Sequence, residues 1–301
     1  MIEEVVITGA DKTVIQRISN NYIRFWYQML PQDRKSLWDK MTSSTVAGEQ
    51  VYLDLPFSAF QDSSASLVPW GNIHLHVKWS PTVDSIVDTG KIVINTRNVI
   101  LDHDDTDDDG QKLNLMDVIV NNNEEKQLVV QSHEQVETSY ITSSSTALDL
   151  RGPCKDIWFG LKANADFSAH TSPSLVYSPN IGTSTQPHQS NGVVRISSPS
   201  LGQTIDSADI TVNDEKLFAA QRAMYFNQVV PYQRYTGCPA PGFYYHSFSI
   251  HPQRYQPSGS FNFSKVTNKY LNITNSPYES TLHVMSNRYN VTDKNVPIFL
   301  D

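Results

Sequence analysis

The stretch His251-Pro-Gln-Arg-Tyr-Gln-Pro-Ser-Gly-Ser-Phe-Asn-Phe-Ser264 indicates most about the fold of this 301-residue chain. Residues 256–259 form a turn sequence in which proline fixes one φ angle and glycine frees another. Ser258 and Asn262 have short polar side chains of the kind that hydrogen-bonds to nearby backbone. We therefore predict a rigid corner that leads into the next strand and has a structural role. The residues assigned to it are Pro252, Gln256, Pro257, Ser258, Gly259, Asn262 and Ser264.

The composition favours β-structure in the rest of the chain as well. Hydrophobic residues make up 39% and charged residues only 18%, and Ser, Thr, Asn, Gln and Tyr fill the difference. A helical protein of this length would carry more Glu, Lys, Ala and Leu. Because 16 prolines and 13 glycines divide the sequence into short segments, as in sandwiches and barrels, we predict an all-β protein.

The charge pattern and the cysteine content exclude several classes of partner. The formal net charge is −8 and no run of Lys and Arg is present, so direct binding of nucleic acid is not expected. No stretch of about 18 apolar residues and no basic leader are present, so we expect an intracellular protein without membrane insertion. Cys154 and Cys238 do not make a disulfide framework. Three glycosylation sequons, at Asn262, Asn272 and Asn290, are interpreted as chance matches.

Two passages of the chain follow the same order of elements. In the first, residues 4–8 are predicted to form a strand, and Asp11 is predicted to cap a helix whose apolar positions run from Val14 to Trp26. Pro31 ends that helix, and a short second helix is expected from Asp33 to Met41.

The second passage repeats this order roughly 190–200 residues later. Recurrence of the same elements at a fixed spacing is the criterion for an internal repeat. Residues 208–212 are predicted to form a strand, Asn213-Asp214 a turn, and Leu217 to Phe226 a helix that ends before Pro231. A strand at 243–250 follows. We interpret the repetition as an internal duplication of a β-unit. One large irregular β domain with helices in its loops is the alternative.

The duplication has a consequence for the first unit. If the two units are equivalent, the first lacks its opening strands, and an incomplete sandwich exposes the edges of its sheets. Either the chain is a piece of a longer protein, or a partner chain supplies the missing strands by β-augmentation. We place the boundary at the end of an acidic run, so that residues 1–110 are the later part of the first unit and residues 111–301 are the second.

The acidic run itself has the residue types of a cation site. The pattern Asp105-x-Asp107-x-Asp109-Gly110 matches the first half of a calcium loop, in which alternate carboxylates converge on the ion. The twelfth position is Met116 rather than Glu, so a solvated linker is favoured and the three aspartates remain a weak cation candidate.

Other candidate chemistry is sparse. His74 and His76 share one face of a predicted strand, as in cupin metalloenzymes, but no carboxylate follows, and residues 73, 75, 77 and 79 are expected to face the core. No nucleophile elbow, phosphate-binding loop or zinc-protease motif is present. We therefore predict no enzymatic activity and no cofactor.

Aromatic side chains are crowded between residues 225 and 255. Tyr and Phe on proline-fixed loops are typical of large interfaces, and an aromatic-rich core is an equal alternative. Stacking of Tyr232 and Tyr255 on sugars would instead indicate a glycan-binding module.

The 251–264 stretch closely resembles a signature of the major capsid proteins of nucleocytoplasmic large DNA viruses. Residues 51–60, 153–158, 242–250 and 287–291 resemble further segments of that family in the same order. The resemblance implies two tandem antiparallel jelly-roll β-sandwiches, the first incomplete, with short helices in the loops. It also implies homotrimers of pseudo-hexagonal outline that tile an icosahedral shell with neighbouring capsomers and minor capsid proteins.

The resemblance further implies a place in the virion capsid and assembly in the host cytoplasm. The sequence departs from the family pattern where Gln253 and Arg254 replace acidic residues and where a glycine-rich tail is missing. A minor capsid protein or a paralogous shell component is therefore an alternative to a major capsid protein. The prediction is a structural, self-assembling capsid protein.

Overall fold

The computed structural model describes residues 2–42, 52–58, 73–79, 127–163, 204–254 and 257–292. Most of these residues lie in strands and the helices are short, which confirms the predicted fold class. None of the helices in the described ranges has the length and apolar character that a membrane span requires.

The elements are as follows in chain order. The first part of the chain contains β1 (Ile2–Thr8), β2 (Val14–Ser19), α1 (Asn20–Met29), α2 (Gln32–Thr42) and β3 (His74–Trp79). The middle part contains β4 (Gln127–Ala147), β5 (Pro153–Ala163), β6 (Ser207–Val212), β7 (Glu215–Lys216) and β8 (Gln221–Arg222). The last part contains a π-helical turn (Tyr225–Val229), α3 (Val230–Arg234), β9 (Tyr244–Ser247), β10 (Phe261–Asn262), a 3-10 turn (Phe263–Lys265) and β11 (Lys269–Thr292).

The chain divides into two compact units. Unit 1 consists of Met1–Asn20, Leu55–Ser132 and Tyr289–Asp301, and unit 2 consists of Asn21–Asp54 and His133–Arg288. The predicted boundary at residue 110 lies outside the described residues, and the division into 1–110 and 111–301 stays a prediction, as does the incompleteness of the first jelly roll.

Unit 1 contains a three-stranded antiparallel sheet in the order β2-β1-β3. Val5 of β1 pairs with Ile18 on one side and Val77 on the other. Val5 and Ile7 alternate along β1 and are fully buried, as expected for a strand with one face on the core. The buried side chain of Gln16 accepts hydrogen bonds from the backbone N–H of Ser58 at 3.0 Å and from its hydroxyl at 2.8 Å.

Unit 2 is built on an eight-stranded sheet. Its main path is β10-β5-β11-β6-β7, with β4 on β11, β8 on β6 and β9 on β5. Residues 154–161 of β5 are all buried, so both faces of this strand are covered. Ile157, Phe159 and Leu161 join the main hydrophobic core, whereas Asp156 and Trp158 alternate with them and face the opposite side.

Two passages of the chain repeat one order of elements. In each passage, a strand is followed by a tight turn, a strand segment and a helix: β1, β2 and α1 in one case, and β6, β7, β8 and the π-turn with α3 in the other. The first strand also pairs antiparallel with a later strand, β3 or β11. Lys12 and Asp214 both have φ of 68° at the tight turn. This common order supports the predicted duplication.

Two helix predictions were wrong at their starts. Val14–Ser19 is a strand, because its β-branched residues pair with β1, and the helix begins only at Asn20. Asp11 caps no helix and instead closes the hairpin loop, where its Oδ1 accepts from the backbone N–H of Thr13 at 2.9 Å.

The second passage differs in the same way. The pattern from Leu217 to Phe226 begins directly after β7 and contains β8, and the helical segment is displaced to residues 225–234. Pro231 does not end a helix, since it lies in the first turn of α3, where a proline loses no hydrogen bond. The predicted strands at 4–8 and 208–212 and the helix from Asp33 to Met41 are confirmed.

Candidate assembly surface

Helix α1 covers the outer face of β5 within unit 2. The ring of Tyr22 stacks on Trp158 with centroids 5.0 Å apart. Phe25 is fully buried and meets the rings of Phe243 and Tyr245 edge-on at 4.8 and 5.9 Å. The hydroxyl of Tyr245 donates to the backbone carbonyl of Phe25 at 2.8 Å. An aromatic cluster therefore holds the helix against the sheet, and this accounts for much of the aromatic crowding in the sequence.

A buried polar chain crosses the same interface. Tyr22 donates through its hydroxyl to Asn287 Oδ1 at 2.9 Å, and Asn287 Nδ2 donates to Asp156 Oδ1 at 2.6 Å. The other carboxylate oxygen, Asp156 Oδ2, accepts from the hydroxyl of Tyr235 at 2.9 Å. Burial raises the pKa of Asp156 above its usual value, and the two donors partly offset that cost. The chain connects α1, β5, β11 and the end of α3.

The segment after α3 is fixed to both helices of the N-terminal region. Gln28 Oε1 accepts from the backbone N–H of Ala240 at 2.9 Å, and Lys35 Nζ donates to the carbonyl of Cys238 at 2.7 Å. Burial lowers the pKa of Lys35. A Cβ added to Gly237 would fall on the backbone carbonyl of Met29, so only glycine allows this approach.

The corner predicted from the 251–264 stretch is held by short hydrogen bonds. Ser258 Oγ accepts from the backbone N–H of His251 at 2.8 Å and lies 2.6 Å from the hydroxyl of Ser249. Gly259 has φ of +138°, and a Cβ there would lie 2.7 Å from the carbonyl oxygen of Phe248. The turn therefore needs glycine for two reasons, its φ angle and the close backbone approach.

The exit of the corner is fixed in the same manner. Asn262 Oδ1 accepts from the backbone N–H of Ser264 at 3.0 Å, and Ser264 Oγ accepts from the backbone N–H of Gly152 at 2.7 Å. The side-chain to backbone bonds expected for Ser258 and Asn262 are thus confirmed. Pro252 is buried and Pro257 half-buried, whereas Gln256 and Tyr255 lie outside the described residues. A structural role for these motif residues stays a prediction.

Of the two metal patterns, only the histidine pair lies in the described residues, and it does not form a recognisable centre there. His74 and His76 are exposed with ring centroids 6.4 Å apart, and His76 Nε2 lies 3.0 Å from Thr8 Oγ1. No group of three His, Cys, Asp or Glu side chains suited to a metal occurs among the residues that the structure describes. Asp105, Asp107 and Asp109 fall outside them. Trp79, expected to face the core, is 42% exposed at the end of β3.

His246 on β9 lies in an aromatic enclosure. Its ring stacks on Phe218 with centroids 4.5 Å apart and meets Phe248 edge-on at 4.8 Å. Burial lowers the pKa of His246 from 6.5 to about 4. Its Nδ1 has no hydrogen-bond partner within the described part of the chain. The folded state therefore favours the neutral imidazole.

We expect acid to destabilise the fold through His246. The unfolded chain takes up this proton near pH 6.5 and the folded chain only near pH 4, so the stabilisation present above pH 6.5 is lost as the pH falls. The loss reaches about 3 kcal/mol near pH 4. His246→Phe keeps an aromatic ring but cannot titrate. Its unfolding free energy, relative to that of the wild type, should therefore rise by about 3 kcal/mol between pH 7 and pH 4.

Urea unfolding of both proteins at the two pH values measures this difference. The comparison with the wild type cancels other titrations, including that of Asp156, whose raised pKa acts in the opposite direction. A difference in unfolding free energy that does not change with pH would contradict the prediction.

Comparison with known proteins decides the family. The model of the family described as large eukaryotic DNA virus major capsid protein matches residues 119–299, more than half of the chain. The chain belongs to this capsid protein family. The major capsid protein of Paramecium bursaria Chlorella virus 1 is 43% identical over 70 residues, which are 23% of this chain and 16% of that protein. That of Phaeocystis pouchetii virus is 38% identical over 66 residues, 22% of this chain and 13% of that protein.

A solved structure of the capsid protein family has the same fold. The quasi-atomic model of the PBCV-1 virus capsid superimposes with a TM-score of 0.59 at 16% sequence identity, over 96% of this chain and 80% of that chain. The predicted double jelly-roll class is thereby confirmed. The resemblance seen in the sequence located Asp156 and Asn287 within family-like segments, but it gave no sign of the polar chain that joins them.

Proposed function

We propose that the chain is a structural capsid protein that trimerises into pseudo-hexameric capsomers and tiles an icosahedral shell. The observation that carries this proposal is the family match over residues 119–299 together with the shared double jelly-roll fold. The buried polar chain of unit 2 also supports a structural role, because its hydrogen bonds hold α1, β5, β11 and the end of α3 together. We assign the chain no catalytic activity.

The partners follow from the same role. They are copies of the chain in its own trimer, neighbouring capsomers and minor capsid proteins, with the virion as the final location and the host cytoplasm as the place of assembly. A further chain that completes the first jelly roll by adding strands belongs to the same proposal. Within it, residues 1–110 are the later part of the first roll and residues 111–301 are the second.

Mass photometry of the purified chain tests the proposal directly. We expect a species with three times the mass of one chain, and hexagonal particles in negative stain as the concentration rises. A folded chain that stays monomeric at every concentration and salt condition would contradict self-assembly. Specific binding of sugars by such a monomer would favour a glycan-binding module instead.

A further inference from the structure

One segment of the chain is free of acidic residues and therefore carries a net positive charge. Residues 216–278 contain no Asp or Glu, and the remainder of the chain holds all 31 acidic residues but only 17 of the 23 basic ones. This segment includes α3, β9 and the 251–264 corner. Within a chain of net charge −8, this segment carries a formal charge of +6. The basic side chains of the segment are Lys216, Arg222, Arg234, Arg254, Lys265 and Lys269.

The same segment presents exposed apolar side chains around two of these basic residues, Arg234 and Arg254. Tyr232 on α3 is 88% exposed, and Val229, three residues earlier on the same side of the helical segment, is 40% exposed. Ile250 is 57% exposed, and its carbonyl accepts from Arg234 Nη1 at 3.2 Å. We call this region the basic–aromatic surface; it consists of Val229, Tyr232, Arg234, Ile250 and Arg254.

The backbone beneath the basic–aromatic surface is firmly held. Val230 and Pro231 of α3 are buried and anchor the helix from below. The backbone N–H of Ile250 donates to the carbonyl of Ser258 at 3.2 Å, and Gln253 Nε2 donates to Thr236 Oγ1 at 3.2 Å. A surface fixed in this way loses little conformational entropy on binding. Exposed Tyr and Arg on a rigid support are the residues that most often dominate binding energy.

We propose that the basic–aromatic surface docks onto the acidic part of a second copy of this chain. The inference rests on the proposed function, since it assumes that copies of the chain associate. Charge complementarity selects the occupant, because residues outside 216–278 carry a net charge of −14. The contact joins two different patches, a heterologous interface of the kind that closes into a ring. Tyr232 and Ile250 form its apolar centre and Arg254 its charged margin.

Two substitutions in the surface and two elsewhere test the proposal by sedimentation velocity on the full chain. Tyr232→Ala and Arg254→Glu should each weaken self-association by about tenfold or more. Leu37→Ala and Lys40→Glu, which change an exposed apolar and an exposed basic residue of α2, are the matched controls and should stay within about twofold of the wild type. Near-UV circular dichroism establishes that all four variants are folded.

The salt dependence provides a second readout. Raising the salt concentration should weaken association of the wild type, and it should do so less in Arg254→Glu, because part of the attraction is already lost. If the wild type and all variants associate equally, the docking surface is overturned and the proposed capsid role stands. If the wild type itself never associates, the proposed function fails and the inference fails with it.

Discussion

Gly237→Ala is expected to lower the free energy of unfolding by about 3 kcal/mol or more, since backbone atoms cannot move aside as a flexible side chain does. The added methyl group would overlap the carbonyl carbon and oxygen of Met29 at the end of α1. Relief of the overlap would separate the 236–240 segment from the helix. That movement would also break the bonds that Gln28 and Lys35 make to Ala240 and Cys238.

Denaturant unfolding followed by circular dichroism measures this effect. Thr236→Ala is the matched control, because Thr236 is the exposed neighbour and loses its bond to Gln253. We expect the control to change the unfolding free energy by about 0.5–1 kcal/mol at most. A Gly237→Ala protein as stable as the control would show that Met29 and Gly237 do not approach as closely as described.

Asp156→Ala is expected to destabilise the fold by about 2–5 kcal/mol, because two buried donors lose their acceptor at once. Those donors are the hydroxyl of Tyr235 and the side-chain amide of Asn287. Neither reaches water where it lies, so both retain the full cost of desolvation. Removing the carboxylate also removes the cost of burying a charge. The expected loss of unfolding free energy is therefore smaller than for breaking a fully favourable ion pair.

Asp156→Asn separates hydrogen bonding from charge. The new amide can accept from Tyr235 and donate to Asn287 if the side-chain amide of Asn287 turns over and accepts through its oxygen. Tyr22 can then accept rather than donate, because a phenol hydroxyl does both. We expect a loss of about 1 kcal/mol or less. Equal destabilisation by the alanine and asparagine variants in thermal and denaturant unfolding would overturn the assignment of this network.

The strands and the corner could be predicted from the sequence because their causes are local. Alternation of apolar residues gave residues 4–8 and 208–212, and turn chemistry gave the hydrogen bonds of Ser258 and Asn262. The segment 14–19 could not be assigned, since a short apolar pattern fits both helix and strand until a pairing partner is known. Its partner, β1, decides for the strand.

The contacts between α1 and unit 2 could not be predicted for a different reason. Tyr22 and Asn287 are separated by 265 positions, and no local pattern indicates that they meet. The same holds for Gly237, whose glycine is required by a helix end more than 200 residues earlier in the chain. The exposure of Tyr232 is likewise a property of the folded surface, because its neighbours Val230, Pro231 and Tyr235 are buried.

Unit 2 is built from two segments that are separated in the chain, Asn21–Asp54 and His133–Arg288. This separation has a consequence for biosynthesis. During translation, α1 leaves the ribosome long before β11, so Asn287, which bonds to Tyr22, follows only 265 residues later. Until then Tyr22 and Phe25 remain uncovered and prone to aggregation. Contacts between residues that are far apart in the chain make folding slow. Chaperone binding to the nascent N-terminal helices is therefore expected to determine how much native protein a cell recovers.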